Sequence, residues 1–408
     1  MCAQTFRANA PTPRNYRFSA VIVLAACVTV GGCTKTDTRR ADSITSNATT
    51  ATVAASDSIS DGQHIFRFDT FGDEQFWTDT LRLHETVEKS VDPTTALKIG
   101  LKVDADVLPA GILQTVDLKS PATTVALLKM NAIVGVQATV DSNNHITRIG
   151  ITCALCHSTV DNSVMPGIGH RKDGWPNREL NVGAIIALSS VLPADKKAVY
   201  NSWGPGKYDP RYNLDGKNTP LAIPPAYGLM NVSNETYTAE GPISYWNAYV
   251  AVTQMHGHGN FADARIGVDI KQSPDMVTPK LASLRAYQHS LVAPAAPAGS
   301  FDGAAAERGR TLFDTSCASC HVGANGTDNN SGILHKPAEI GMNADYAMRT
   351  ATKAYRTTPL RALWQHAPYF HDGSAATLAA VVDHYDRVRS LALTAAQRHD
   401  LVEYLKSL

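Results

Sequence analysis

Two copies of the pattern Cys-x-x-Cys-His lie about 160 residues apart in this chain. The copies are Cys153, Cys156, His157 and Cys317, Cys320, His321. In this pattern the two thiols add to the two vinyl groups on one edge of a porphyrin, and the next imidazole reaches the iron. A redox dithiol does not need the histidine, and zinc would need all four cysteines brought together. The two copies therefore predict two covalently bound haem c groups.

The N-terminal segment 1–33 resembles a bacterial lipoprotein signal peptide. Three arginines give a positive region, and the apolar run 19–30 that follows is too short to span a bilayer. Small residues then precede Cys33, which would be lipidated and become the first mature residue; a plain secretory signal cut nearby is the alternative. We expect a secreted, periplasmic protein that a lipid anchors to a bacterial membrane.

The seven cysteines are all accounted for without a disulfide. Cys2 and Cys27 leave with the signal peptide, Cys33 is the predicted lipidation site, and the other four belong to the haem motifs.

Composition divides the rest of the chain into a tether and two domains joined by a linker. Residues 34–62 are rich in Ser, Thr, Ala and Asp and predict a flexible tether. Dense aromatic and apolar content then begins an N-terminal haem domain with an extension, 63–292. The Ala/Pro-rich stretch within 290–310 is a short, stiff linker. A C-terminal cytochrome c domain, 300–408, follows it.

Two helices are predicted to pack beside the second haem. A strong helix-forming stretch, 304–313, precedes Cys317. Thr394 is a suitable N-cap for a terminal helix whose Leu401 and Leu405 lie on one face.

The rest of the chain shows no strong strand alternation, and its Gly-, Pro- and Asn-rich region 202–245 predicts loops. The predicted fold class is mainly α: two cytochrome c-like domains with long loops, each carrying one covalent haem c. Lys+Arg and Asp+Glu both total 37, so the charge gives no reason to expect a nucleic-acid partner.

The sixth ligand of each iron determines whether the haem acts as an electron carrier or as a catalyst: a strong ligand favours electron transfer, and an empty or labile position allows peroxide or dioxygen to bind. For the first haem, His170 lies in a Gly-rich turn soon after the motif, where the backbone can approach the ring. His256, His258 and Met165 are the alternatives.

For the second haem, four side chains are candidates for the sixth ligand, and spacing alone does not rank them. They are Met342, Met348, His366 and His371.

The segment 357–378, "TTPLRALWQHAPYFHDGSAATL", resembles the C-terminal signature of the bacterial dihaem cytochrome c peroxidase superfamily. That superfamily includes the MauG-type enzymes and the more distant dihaem rubber oxygenases. The likeness covers roughly 150–408, and 64–150 is more similar to the extended rubber-oxygenase branch. The resemblance implies that one haem meets the oxidant and that the other relays electrons from a donor.

Individual residues match the family's functional segments. The resemblance implies that His170 is the removable distal ligand of the reactive haem and that Trp246, in "PISYWNAY", passes charge between the haems. A buried aromatic anchor is the alternative for Trp246. It also implies a calcium ion between the domains, held by Asn177 and the backbone carbonyls of Thr357 and Pro359.

The chain also departs from the family pattern. Ala375 stands where the peroxidases place a distal Met and the MauG type a Tyr. The rubber-oxygenase branch implies His371 as the ligand instead, and bis-His ligation would lower the potential of that haem. The family's acid–base Glu has no clear match; Glu240 is available.

From these features we expect a dihaem c-type cytochrome that acts in electron transfer as a peroxidase-like oxidoreductase. It would reduce peroxide or activate dioxygen at the first haem, with the second haem as a relay. Its electrons would come from a small redox protein or the quinol chain. The alternative is a non-enzymatic electron-transfer lipoprotein with two six-coordinate haems.

Overall fold

The computed structural model describes residues 58–408. The predicted signal peptide, its lipidation site Cys33 and most of the predicted tether lie outside the described residues. Among residues 58–408, no helix combines the length and the apolar character that crossing a membrane requires.

Helices make up most of the regular structure, and loops of varied length connect them. The α-helices are α1 (58–68), α2 (Leu83–Ser90), α3 (Pro93–Lys98), α4 (Ile112–Thr115), α5 (Pro121–Lys129), α6 (Ala154–His157), α7 (Val182–Ala187), α8 (Ala194–Asn201), α9 (Tyr212–Asp215), α10 (Ile243–Thr253), α11 (Leu281–Ser290), α12 (Gly303–Ser316), α13 (Leu378–Arg389) and α14 (Ala395–Ser407). A π-helix covers Gln75–Thr80, and 3-10 turns cover Ala105–Val107, Ala264–Ile266, Thr278–Lys280, Asn329–Ser331, Pro337–Ile340, Ala347–Arg349 and Leu363–Gln365.

The strands are short and pair only two at a time within the described residues. They are β1 (Val103–Asp104), β2 (Val136–Val140), β3 (Ile146–Ile151), β4 (Ser158–Val160), β5 (Ile168–Gly169), β6 (Arg171–Asp173), β7 (Lys207–Tyr208), β8 (Leu221–Ala222), β9 (Phe261–Asp263) and β10 (Val268–Ile270). β1 pairs with β5 in parallel, whereas β2–β3, β4–β6, β7–β8 and β9–β10 are antiparallel. The predominance of helix agrees with the predicted mainly α class.

The folded body begins earlier than composition predicts, because helix α1 starts at residue 58. Residues 58–62, which composition assigned to the tether, already belong to this helix. Its Phe66 is fully buried, and Gly62 lies against the backbone carbonyl of Ser283 in α11, where a side chain would collide. Close packing against α11 thus stabilises the helical form of the polar residues 58–62. Composition alone does not predict this packing.

The buried apolar side chains form three clusters. Two of them draw their members from residues 65–291, and the third draws its members from residues 313–408. The segment 291–302 between α11 and α12 has no helix or strand, in line with its Ala/Pro-rich composition.

The two predicted helices of the C-terminal region are confirmed as α12 and α14. Thr394 caps α14 by accepting a hydrogen bond from the Gln397 backbone N–H, and Leu401 and Leu405 are buried. The helices cross at Gly309, where a Cβ would collide with the backbone carbonyl of Asp400. The crossing therefore depends on a residue without a side chain.

Candidate haem-binding sites

The first site is built on the single helical turn α6. Cys153 is its N-cap, and the His157 backbone N–H donates to the Cys153 carbonyl at 3.2 Å. Residues three apart share one face of such a turn, so Cys153 and Cys156 point to the same side. The His157 Nδ1 lies 3.0 Å from the carbonyl oxygen of Pro224.

The second site repeats this arrangement at the end of α12. Cys317 is the C-cap of the helix, and its carbonyl accepts hydrogen bonds from the backbone N–H groups of Cys320 and His321 at 3.2 and 3.1 Å. The His321 Nδ1 lies 3.2 Å from the Gly326 carbonyl.

A backbone carbonyl only accepts hydrogen bonds, so Nδ1 must carry the proton in both His157 and His321. Each Nε2 then presents a lone pair, which is the form of imidazole that binds a metal, and the carbonyl fixes the plane of the ring. Both motif histidines are therefore arranged as iron ligands.

Burial keeps the thiols and the imidazole of the first site uncharged. It raises the pKa of the Cys153 and Cys156 thiols to about 12 and lowers the pKa of His157 to about 4. Among the described residues the four motif thiols form no disulfide. Paired free thiols beside a neutral, oriented imidazole fit covalent haem c at each site, which would supply reversible one-electron chemistry.

A mostly apolar cavity surrounds the second site. Side chains from α12, α13 and α14 form one wall of it, and these include Phe313, Leu378, Val382, Leu401 and Leu405. The same side chains belong to the third hydrophobic cluster, so this cluster is built around the space that a macrocycle would fill.

His371 is one of the sequence candidates that the structure brings to this cavity. It is 6% exposed, and its Nε2 lies 2.9 Å from the Tyr355 hydroxyl. His366 and Met342 also line the cavity, whereas Met348 is 56% exposed on the surface. Iron ligation by His371 stays a prediction, and Tyr355 is a partner that sequence reasoning missed.

His170 lies away from the buried part of the first site. Its side chain is 63% exposed, and its Nδ1 lies 2.6 Å from a carboxylate oxygen of Asp106, which raises the pKa of His170. The structure does not bring His170 to an iron-ligating position. Its predicted distal role requires that it first leave Asp106.

The alternatives for the first haem have other partners. His256 stacks on Phe76 with ring centroids 3.7 Å apart, and burial lowers its pKa to about 4. His258 Nδ1 lies 2.7 Å from the Pro274 carbonyl. Met165 packs against the first hydrophobic cluster, which Cys156 also contacts.

Trp246 packs near the first site only. Its ring centroid is 5.1 Å from that of Tyr249, and it contacts the same hydrophobic cluster as Cys153. It is not among the residues that line the second cavity. Its predicted bridging role stays a prediction, and the observed packing matches the alternative of an aromatic anchor.

Three other aromatic residues connect the two sites. Trp175, which follows the first motif, has its ring centroid 5.8 Å from that of Trp364 and 6.4 Å from that of Tyr227. Trp364 lies in the 3-10 turn Leu363–Gln365, and Tyr227 lines the second cavity. Sequence reasoning missed this contact, because it joins segments almost 190 residues apart.

The segment 222–225 also contacts both sites. The Ala222 backbone N–H donates to the His371 carbonyl at 2.8 Å, and two residues later the Pro224 carbonyl accepts from His157. Pro224 and Pro225 themselves line the second cavity.

Of the predicted calcium ligands, Asn177 offers an unpaired oxygen within the described residues, whereas the Thr357 carbonyl already has a hydrogen-bond partner. Asn177 is 2% exposed, and its Nδ2 donates to the Gly100 carbonyl at 2.9 Å. Its Oδ1 has no hydrogen-bond partner among residues 58–408, and such an amide oxygen suits calcium. The Thr357 carbonyl, however, already accepts a hydrogen bond from Thr327 at 2.7 Å, and Pro359 lines the second cavity. Calcium binding stays a prediction.

Glu240 is held in a buried ion pair. Arg211 Nη2 lies 2.7 and 2.8 Å from its two carboxylate oxygens, and the Ala351 backbone N–H donates to it at 3.0 Å. With its side chain 0% exposed, this carboxylate is held in place by its partners.

Sequence comparisons agree with this geometry. Residues 306–408 match the cytochrome c family model. Methylamine utilization protein MauG of Methylorubrum extorquens is 30% identical to this chain over 154 residues, which cover 31% of this chain and 43% of MauG. The chain thus spans less than half of the length of this curated relative.

Two solved structures share 20% sequence identity with this chain. A Kuenenia stuttgartiensis hydrazine synthase matches with a TM-score of 0.32 over 47% of this chain and 73% of its own. A MauG-like protein associated with microbial copper homeostasis matches with a TM-score of 0.26 over 35% and 62%. TM-scores this low do not establish a shared fold. The C-terminal region of this chain is thus similar to cytochrome c domains, and a 154-residue stretch of the chain is similar to MauG, in line with the resemblance noted in the sequence.

Proposed function

We propose that this chain is a periplasmic dihaem c-type cytochrome with peroxidase-like activity. The main support is that both motif histidines direct Nδ1 at a backbone carbonyl, at 3.0 and 3.2 Å, which makes Nε2 the nitrogen that would ligate an iron. In the proposed reaction, peroxide takes up two electrons and two protons and leaves as two waters. Dioxygen with an organic substrate is the other oxidant class that the family includes.

The surroundings of the second site support a relay role. The mostly apolar lining of the cavity would limit the reorganisation that accompanies a change of iron charge, and His371 lines this cavity as the candidate second axial ligand. A small redox protein or the quinol chain would supply the electrons, and the N-terminal lipid would keep the protein at the membrane.

The contact between Trp175 and Trp364 supports electron transfer between the sites. Trp175 belongs to the segment whose Gly174 N–H donates to the His157 carbonyl at 2.8 Å, so it is tied to the first motif. Trp364 directly follows Leu363, which lines the second cavity. We propose this pair, rather than Trp246, as the aromatic contact through which electrons pass.

A purely electron-transferring lipoprotein is the second candidate. The contacts of Glu240 support this candidate. Arg211 holds the Glu240 carboxylate in place, so this carboxylate cannot act as the mobile acid–base group that cleavage of an O–O bond uses.

The purified holoprotein, made in a host that ligates haem, separates the two candidates. Its mass should exceed that of the polypeptide by two haems; a mass with one haem or none would sink the dihaem proposal. Spectra are then taken oxidised, half-reduced and fully reduced. We expect carbon monoxide or cyanide to bind one haem in the half-reduced protein. Two haems that stay low-spin and bind neither ligand in every state would establish the electron-transfer alternative.

A further inference from the structure

The second cavity carries an excess of positive charge. Four arginines line it, Arg178, Arg356, Arg361 and Arg389, against one acidic residue among the described lining, Glu235. Glu235 is already engaged, because its carboxylate accepts hydrogen bonds from His289 Nε2 at 3.0 Å and from the Ile243 backbone N–H at 2.7 Å. Among the described lining, four guanidinium groups therefore face a single carboxylate.

Two of these arginines have buried donors without partners. Arg178 donates from Nη2 to the His366 carbonyl at 2.8 Å, and Arg356 donates from Nε to the Thr236 carbonyl at 2.7 Å and from Nη2 to the Glu235 carbonyl at 2.8 Å. Within residues 58–408, Nε and Nη1 of Arg178 and Nη1 of Arg356 have no hydrogen-bond partner.

Burial lowers the pKa of both guanidinium groups, that of Arg356 to about 10. Buried donors of this kind destabilise a protein unless something satisfies them, and a charged donor more so. Both arginines line the same cavity as Tyr237, and the Arg356 backbone N–H donates to the Tyr237 carbonyl at 3.0 Å.

Haem c has the complementary chemistry. Its thioether bonds use the vinyl edge of the ring, so its two propionate carboxylates lie on the side away from the cysteines. Guanidinium groups bind carboxylates through paired, charge-assisted hydrogen bonds. We propose that Arg178 and Arg356 bind the propionates of the haem that is attached at Cys317 and Cys320. This inference rests on the proposed function, since it requires haem at the second site.

The assignment fixes how this haem faces the rest of the molecule. Arg178 directly follows Asn177, whose N–H donates to the Cys156 carbonyl at 2.9 Å. With this assignment the carboxylate edge of the second haem would face the segment that carries the first motif. A short route of covalent and hydrogen bonds through Arg178 and Asn177 would then join the two sites.

The test uses the holoprotein with Arg178→Gln, Arg356→Gln and both together. Removing a guanidinium leaves a propionate charge uncompensated, which stabilises ferric over ferrous iron. We expect the midpoint potential of one haem to fall in each single variant and to fall further in the double variant, while the other haem is unchanged. Arg310→Gln is the control, because Arg310 is 58% exposed on α12 and should shift neither potential.

The variants Arg178→Lys and Arg356→Lys keep the positive charge but lose the paired hydrogen bonds. They provide a second test in case the Gln variants do not fold. We expect a smaller fall in the same potential. If both haems are attached and neither the Gln nor the Lys variants shift a potential, the assignment is overturned and the proposed function stands. A wild-type protein without haem at Cys317 and Cys320 would instead overturn the proposed function.

Discussion

Asp73 makes the stability of the first site depend on pH. This residue is 0% exposed, and both of its carboxylate oxygens accept from the Ile151 backbone N–H, at 3.3 and 3.2 Å. Ile151 ends β3 and is followed within two residues by Cys153, so Asp73 lies under the strand that leads into the first motif.

Burial raises the pKa of Asp73 from 3.8 to about 9, so the folded protein holds this carboxyl protonated at neutral pH. The unfolded chain ionises near 3.8 and binds fewer protons between these values, and stability therefore falls as pH rises through this window. At about 1.4 kcal/mol per unit, the loss amounts to about 4 kcal/mol at pH 7 and about 7 kcal/mol at pH 9. Below 3.8 the stabilising contribution is fully present.

The change to make is Asp73→Asn, which keeps an acceptor for Ile151 and cannot ionise. Chemical unfolding of wild type and variant from pH 4 to pH 9 gives the difference in free energy of unfolding at each pH. We expect equal stability near pH 4 and a growing advantage of the variant above it. Asp79→Asn, at a 53% exposed carboxylate, is the control. A difference between wild type and Asp73→Asn that does not change with pH would refute the reasoning.

Three further predictions concern the haem sites and the helix crossing. His371→Ala should turn the second haem high-spin, and an unchanged low-spin spectrum would rule out His371 as its ligand. Trp364→Phe should slow electron transfer between the haems in rapid-mixing experiments, whereas Trp246→Phe should not; the opposite order would restore Trp246 as the bridge. Gly309→Val should reduce the free energy of unfolding by about 1–3 kcal/mol or more, because its side chain meets the Asp400 carbonyl. Gly303→Ala, which meets nothing within 4 Å, is its control, and equal losses would contradict the role of the crossing.

Sequence predicted the parts of the sites that are local in the chain. The two thiols and the imidazole of each motif lie within one turn, so spacing alone places them together. Thr394 and Leu401 were predictable for the same reason, since capping and helical periodicity act over a few residues.

The partners of these local groups come from distant segments and could not be predicted. His157 is oriented by Pro224, which lies 67 residues further along the chain in a loop without periodicity. Arg178 and Arg356 reach one cavity from different halves of the chain.

The short sequence distance between His170 and the first motif did not predict where the His170 side chain points. It directly precedes β6, where the side chains of Arg171 and Asp173 are 5% and 4% exposed. Side chains alternate along a strand, so His170 points outward to Asp106. Only the pairing of β6 with β4 determines which face is buried.

The segment 222–225 would couple the two proposed haem sites, because it is hydrogen-bonded to a residue of each. The Ala222 backbone is bonded to that of His371, and the Pro224 carbonyl two residues away sets the ring plane of His157. If both haems are bound and His371 ligates the second, a movement of His371 would pull on Ala222 and, through Pro224, would tilt the ring of His157. A change of ligand at the second iron would then shift the spectrum and the potential of the first iron through the backbone, without electron transfer between them.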